Sequence, residues 1–148
     1  MTKKLRNNII KIGILLIFWM LTRIIKALII DENSEIFFWY LYYIPMIMVP
    51  YLYYKSANYL LDRKKKYNII ALIISIMLII MVLTNNYHLW VFTIEENFST
   101  TGKYTHNMGY YIICVWIFYI FIKSIILLII KKIKETGFDY KIFIKQHL

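Results

Sequence analysis

The 148-residue chain is poor in cysteine, proline and glycine, with one, two and four residues respectively. A single cysteine, Cys114, cannot form a disulfide within the chain or a site built from several thiolates. The sequence also contains no phosphate-binding P-loop, no H-E-x-x-H zinc motif and no G-x-S-x-G nucleophile motif. We therefore expect no enzymatic activity, no cofactor and no metal site.

Acidic residues are scarce as well, because 8 Asp and Glu stand against 18 Lys and Arg. A nucleic-acid-binding protein would collect such a charge of +10 on one folded face. Here the cations flank long apolar stretches, so we expect no nucleic-acid partner. No carboxylate lies inside an apolar stretch, which argues against a proton-coupled exporter built around a buried glutamate.

Hydrophobic residues are abundant, at 61% of the chain, and aromatic residues make up 18%. A helix needs about 20 mainly apolar residues to cross a bilayer. Four stretches reach or approach that length: residues 9–30, 36–54, 67–88 and 108–130. The sequence therefore predicts an all-α integral membrane four-helix bundle over residues 1–130, multi-pass in the cell membrane. Residues 131–148 are predicted to form a basic amphipathic cytoplasmic tail.

The charges are distributed unevenly among the connections. Basic residues precede the first stretch, separate the second from the third, and follow the fourth. The other two connections hold Asp31, Glu32, Glu35, Glu95 and Glu96. Because cytoplasmic loops carry an excess of Lys and Arg, both termini and residues 55–66 are predicted to be cytoplasmic. We expect the tail to lie along the anionic inner leaflet; a partner-docking strip and an incomplete fifth helix are alternatives.

The second stretch includes WYLYYIPMIMVPYLYY (residues 39–54), which contains both prolines of the chain. Proline has no N–H to donate to the carbonyl four residues earlier. Pro45 therefore leaves the Leu41 carbonyl without its helical hydrogen bond, and Pro50 does the same to the Met46 carbonyl. One interpretation is a kinked helix anchored by aromatic belts at both headgroup layers. The other is a hydrated, aromatic-lined pocket at the kink.

A polar group, TNNYH, ends the third stretch. Thr84, Asn85 and His88 are three or four residues apart and so share one helical face. Their side chains could join helices by hydrogen bonds, or form the floor of an outward-facing ligand site.

Apart from Lys11 at the start of the first stretch, three cations lie inside the apolar stretches, where charges are rare and usually functional. Arg23 and Lys26 share a face near the outer end of the first helix. They could snorkel outwards or meet Asp31 and Glu35, or they could line an outer pocket for an anionic ligand. Lys123 is expected to snorkel to the inner boundary.

Three motifs follow one another along the chain: WYLYYIPMIMVP (residues 39–50), LTNNYH (83–88) and YTHNMGYYIICVWI (104–117). In order and spacing they resemble motifs of the N-terminal seven-transmembrane sensor region of bacterial histidine kinases. The resemblance covers about residues 36–130. It marks Tyr43, Pro45, Pro50, Thr84, Asn85, His88, Tyr104, Gly109 and Trp116.

The resemblance implies a membrane signal-input module without a catalytic domain of its own. Such a module passes an extracytoplasmic or intramembrane cue to a cytoplasmic or membrane partner, such as a histidine kinase. Two features depart from the family pattern: Asn86 stands where the family often has an acid, and four helices are predicted instead of seven. We expect a truncated relative, or one that pairs with another membrane protein or with a second copy of itself.

Three functional hypotheses remain at this point. The first is the sensor-like module, in which a ligand biases the straightening of the helix at Pro45 and Pro50. The second is a small membrane transporter or transport accessory subunit, and the third is an assembly subunit. The candidate ligand-binding residues are Arg23, Lys26, Tyr43, Pro45, Pro50, Thr84, Asn85, His88 and Tyr104.

Overall fold

The structure is a computed structural model that describes residues 2–95 and 98–136. Glu96 and residues 137–148 of the predicted tail lie outside the described residues. The described elements are α1 (Lys3–Leu28), α2 (Glu32–Leu41), α3 (Tyr43–Leu60), α4 (Lys65–Leu83), α5 (Asn85–His88), β1 (Phe92–Ile94), α6 (Phe98–Thr101), β2 (Tyr104–His106) and α7 (Met108–Glu135).

Four helical segments are long and apolar enough to cross a membrane: α1, α2 together with α3, α4 and α7. Large apolar side chains on these segments, among them Ile17, Met77 and Phe118, lie exposed on the surface of the protein. So much exposed apolar surface would be costly in water and is typical of a lipid-facing surface. The predicted all-α membrane fold is confirmed.

Helix α3 lies at the centre and packs against α1, α4 and α7. Its buried side chains contribute to two apolar clusters, one at each end of the helix. The first cluster includes Trp39, Tyr43, Val82, Phe92 and Ile113, and the second includes Tyr51, Leu52, Ala57, Ala71 and Ile120. Trp116 on α7 also donates a hydrogen bond of 3.2 Å to Ser75 on α4, so the outer helices are joined to each other as well.

The second membrane segment is interrupted at Tyr42, between α2 and α3. Pro45 is the third residue of α3 and has no N–H for the carbonyl of Leu41, which explains a break at this point. Pro50, in contrast, lies inside α3 without ending it. The sequence predicted a kink at each proline, whereas the structure interrupts the helix only before Pro45.

Two helices are longer than the sequence predicted, because each continues into charged residues beyond its apolar stretch. Helix α1 begins at Lys3, because the hydroxyl of Thr2 accepts a hydrogen bond from the amide of Leu5. Helix α7 continues to Glu135, so the first residues of the predicted tail belong to the last helix.

Asp31 caps α2 in the short connection from α1. Its Oδ2 accepts hydrogen bonds from the hydroxyl and the amide of Ser34, at 2.7 and 2.9 Å. These hydrogen bonds, led by the one from the hydroxyl, favour the ionised carboxylate and hold the pKa of Asp31 below its ordinary value. The cap is therefore intact at neutral pH and weakens only as the pH falls through that lowered pKa.

An antiparallel ribbon connects the third membrane segment to the fourth. In it Phe92 pairs with His106, Thr93 with Thr105, and Ile94 with Tyr104. The ribbon lies against α2, since the rings of Trp39 and Phe92 are 4.4 Å apart. We call the end of the bundle with β1, β2 and the α1–α2 connection the ribbon end.

The opposite end of the bundle carries the chain's first residues and the connector 61–64 between α3 and α4. Here the side chains of Asn58 and Asn68 are buried and joined by a hydrogen bond of 2.7 Å. The pair holds α3 to α4 beside the connector. Because Lys3, Lys4, Arg63 and Lys65 meet here, we call this the basic end.

Candidate ligand site at the ribbon end

A cleft of about 420 Å³ lies between the end of α1 and the junction of α2 with α3. We call it the ribbon-end cleft. Its lining consists of Arg23, Lys26, Ala27, Ile29, Glu35, Trp39 and Tyr42. It therefore combines two cations, one carboxylate, two aromatic rings and a small aliphatic surface.

The charges in the cleft do not cancel. Lys26 Nζ lies 3.3 Å from Glu35 Oε1, which is the pairing that the sequence suggested. Arg23 forms no salt bridge with any described residue; its guanidinium lies 5.9 Å from the centre of the Trp19 ring. A guanidinium can hold a carboxylate or phosphate through two parallel hydrogen bonds. The cleft therefore has one excess positive charge, carried by a side chain suited to bind an oxyanion.

The aromatic wall of the cleft includes the residue at the helix break. Trp39 Nε1 donates a hydrogen bond of 2.8 Å to the hydroxyl of Tyr42, and Tyr42 stacks on Tyr43 at 4.7 Å. Tyr42 is the residue between α2 and α3. A molecule in the cleft would thus contact the point where the second membrane segment changes direction.

The same wall is joined to the ribbon through Phe92. The Phe92 side chain is 0% exposed and lies 4.4 Å from Trp39, measured between ring centres. The rings within 4.4 to 6.3 Å of Phe92 are those of Trp39, Tyr40, Tyr43, Tyr104, His106 and Tyr110. Phe92 therefore connects the cleft wall to β2 and to the start of α7.

Asn85 fixes Phe92 in that position. Its Oδ1 accepts hydrogen bonds from the amides of Val91 and Phe92, at 2.9 and 3.1 Å. Its Nδ2 donates to the carbonyl of Phe92 and to the hydroxyl of Tyr40, at 2.9 and 3.0 Å. The side chain is 0% exposed, so these four contacts are made without competition from solvent.

Thr84 and His88 form a separate network at the end of α4. The Thr84 hydroxyl donates to the carbonyl of Ile80 at 2.7 Å and lies 3.2 Å from His88 Nε2. The amide of Trp90 donates to His88 Nδ1 at 3.0 Å. Because Nδ1 accepts, a neutral His88 ring carries its proton on Nε2 and donates it to Thr84.

The predicted site residues therefore fall into separate places. Arg23 and Lys26 lie together in the ribbon-end cleft, as the sequence suggested for an anion pocket. Tyr43, Asn85 and Tyr104 belong to the aromatic and hydrogen-bonded cluster behind its wall. The remaining ones are Thr84 and His88 in their own network, and Pro45 and Pro50 in a separate cavity. A ligand-binding role for these residues stays a prediction.

The cavity at the prolines is apolar. It measures about 180 Å³ and is lined by Leu16, Trp19, Pro45, Met46, Val49 and Pro50. Its one side-chain N–H, Trp19 Nε1, is buried and has no hydrogen-bond partner among the described residues. The predicted hydrated, aromatic-lined pocket does not match this lining, because side-chain groups that could bind water are almost lacking.

Sequence reasoning gave no ligand role to Trp39 and Tyr42 and no role at all to Phe92. From the sequence, these two cleft residues fit an interfacial aromatic belt. Glu35, Trp39 and Tyr42 are nevertheless spaced i, i+4 and i+7, which places them on one face of a helix. That spacing, next to the Arg23 and Lys26 pair, would have identified the cleft wall.

Gly109 is required by the close approach of α7 to the ribbon. Its amide donates to the Trp90 carbonyl at 2.9 Å, and an added Cβ would lie 2.9 Å from the same oxygen. We expect Gly109→Ala to lower the free energy of unfolding by about 1–3 kcal/mol, measured by thermal unfolding in detergent. Gly13→Ala is the control, because nothing lies within 4 Å of its Cβ position. It should stabilise α1 by up to about 1 kcal/mol, and a loss of the same size in both variants would contradict the steric explanation.

Comparison with known families gives one result. A family model described as the N-terminal 7TM region of histidine kinase matches residues 6–146. No curated protein and no solved structure matches the chain significantly. The matched region includes the ribbon-end cleft, the ribbon and, except for the first three residues of α1, the four candidate membrane segments of the described chain. The family description names a 7TM region and not a catalytic domain. Since the match covers nearly the whole sequence, the chain belongs to the family of N-terminal 7TM regions of histidine kinases.

Proposed function

We propose that this protein is a signal-input module of the cell membrane that binds a small organic anion in the ribbon-end cleft. The observation that supports this proposal most directly is that Tyr42 both lines the cleft and lies at the break between α2 and α3. A ligand can shift a conformational equilibrium only if its contacts differ between the two states. Contacts with Tyr42 depend on the geometry of the break and meet that condition.

The lining of the cleft suggests the class of ligand. Arg23 would bind a carboxylate through two parallel hydrogen bonds from its guanidinium. Lys26 could leave its salt bridge with Glu35 and bind the same ligand carboxylate. Ile29 and Trp39 would contact an apolar body attached to it. A carboxylate with a small apolar or aromatic group therefore fits better than an inorganic anion.

The route from the cleft to the far end of the protein follows α3. This helix is unbroken from Tyr43 to Leu60 and is held to α4 by the Asn58–Asn68 pair. A change of angle at Tyr42 would move the connector 61–64 at the basic end. The excess of Lys and Arg there supports a cytoplasmic location for the basic end and both termini. A histidine kinase or another membrane signalling partner would detect the movement.

The test measures movement at the basic end when benzoate occupies the cleft. The protein would carry Cys114→Ser and spin labels on Lys64→Cys and Lys132→Cys, two exposed positions, in lipid nanodiscs. We expect benzoate to shift the label distance by about 1–2 Å. Arg23→Gln should require at least about tenfold more benzoate, because it removes the bidentate partner. Lys11→Gln, an exposed cation on the same helix, is the matched control.

The prolines provide the second arm of this test. Pro45→Ala restores the N–H for the Leu41 carbonyl, so α2 and α3 should join and the response should disappear. Pro50→Ala, inside the continuous part of α3, should respond like the unmodified protein. A normal response in Arg23→Gln or in Pro45→Ala would refute the proposal. Uptake of benzoate into proteoliposomes that is lost in Arg23→Gln would support the transporter hypothesis in its place.

A further inference from the structure

A second groove, of about 360 Å³, lies at the basic end between the connector 61–64 and α7. Its rim carries Arg63, Lys123 and Lys134, and its floor is formed mainly by Leu61, Ile126 and Ile130. None of the described residues that line it is acidic. The groove therefore combines three positive charges with an apolar surface in the last part of a membrane helix.

Lys123 is an unpaired cation among the residues that the structure describes. It is partly buried in α7, and it forms neither a hydrogen bond nor a salt bridge with the described part of the chain. A charged side chain in a membrane segment normally pairs with another group or reaches the headgroup layer. Lys134 is eleven residues further along, which is close to three full turns, so both ammonium groups lie on one face of α7. Both residues also line the groove, so a negatively charged ligand in it would lie beside this face.

Arg63 is already held in position for an anion. Its guanidinium carbon lies 4.6 Å from the centre of the Tyr67 ring, and its Nη1 lies 3.4 Å from Asn58 Oδ1. Both partners are neutral, and Arg63 forms no salt bridge with a described residue, so its guanidinium is oriented without an ion pair. Arginine binds phosphate through two parallel hydrogen bonds, and holding the side chain in place beforehand reduces the entropy lost on binding.

We propose that this groove binds an anionic phospholipid, with the phosphate between Arg63 and the two lysines and an acyl chain along Ile126 and Ile130. Basic pockets between membrane helices are suited to acidic headgroups, and the apolar floor of the groove would contact the acyl chain of the lipid. Both isoleucines are exposed, so the groove is open on the side from which a lipid would enter. The bound lipid would join the connector 61–64 to α7.

The test compares lipids that differ only in the headgroup. Purified protein in a neutral detergent is titrated with phosphatidylglycerol or with phosphatidylcholine of the same acyl chains, and bound lipid is counted by native mass spectrometry. We expect phosphatidylglycerol to bind at least about tenfold more tightly, because it keeps a net negative charge. Arg63→Gln, Lys123→Gln and Lys134→Gln should each weaken it about fivefold and leave phosphatidylcholine unchanged.

Lys132→Gln is the matched control, since Lys132 is an exposed lysine of the same helix and does not line the groove. Lys134 is exposed as well, so its variant keeps the test valid if Lys123→Gln does not fold. Equal binding of the two lipids, or equal losses in Lys132→Gln and Lys134→Gln, would overturn the proposal. So would equal competition by glycerol phosphate, which has no acyl chain. None of these results depends on the ribbon-end cleft.

Discussion

Replacement of Asn85 by alanine is expected to lower the free energy of unfolding by about 3–4 kcal/mol. The change leaves the amides of Val91 and Phe92, the Phe92 carbonyl and the Tyr40 hydroxyl without the partner that Asn85 supplies. Each buried polar group left unpaired costs about 1–3 kcal/mol, and partial hydration after local relaxation reduces the sum. Thermal unfolding in detergent would measure the loss, and hydrogen exchange would detect faster exchange at the Val91 and Phe92 amides.

Asn86→Ala is the matched control for this variant. Asn86 is the next residue in the chain and accepts a single hydrogen bond, from the Tyr40 hydroxyl at 2.9 Å. Its side chain is exposed, so water can replace that contact, and the expected loss is below about 1 kcal/mol. If the two alanine variants were equally stable, Asn85 would not have the anchoring role that its hydrogen bonds indicate.

Phe92→Ala is expected to cost about 3–5 kcal/mol. The side chain is buried among the rings of six described residues, and truncation would leave a cavity between the cleft wall, β2 and α7. Phe92 also lies in the ribbon, outside the candidate membrane segments. Unfolding of the ribbon therefore exposes the ring to water, and its burial contributes the full hydrophobic effect.

The stability of the Phe92 variant would be measured in the same detergent. Tryptophan fluorescence would give a second signal, because Trp39 loses the Phe92 ring, whose centre lies 4.4 Å from its own. Tyr87→Ala is the control from the same connection. The Tyr87 side chain is 91% exposed, so its removal should change stability by no more than about 0.5 kcal/mol. Comparable losses in both variants would mean that the ring cluster is not a stabilising core.

The membrane segments were predictable from sequence because length and hydropathy alone decide whether a helix can cross a bilayer. The pair of Arg23 and Lys26 was predictable for a similar reason, since their spacing on a helix decides that they are neighbours. The salt bridge between Lys26 and Glu35 was predictable because only a short connection separates the two helices that carry them.

The ribbon and the cluster around Phe92 were not predictable. Each strand has three residues, too few for an alternating pattern to be recognised. Asn85 was grouped with Thr84 and His88 by helical spacing, but α4 ends at Leu83 and a new short helix begins at Asn85. Its side chain accordingly points into the core, and its partners at residues 91 and 92 are set by the folding of the connection back on itself.

Helix α7 has a further mechanical consequence. It runs without interruption for 28 residues from Met108, and at about 1.5 Å per residue it is about 42 Å long. That exceeds a hydrocarbon core of about 30 Å, so a helix of this length tilts or extends into the aqueous layer by about two turns. A rigid helix of this length acts as a lever: a tilt of about five degrees at the contact of Gly109 with Trp90 displaces the lysines at the far end by about 3 Å.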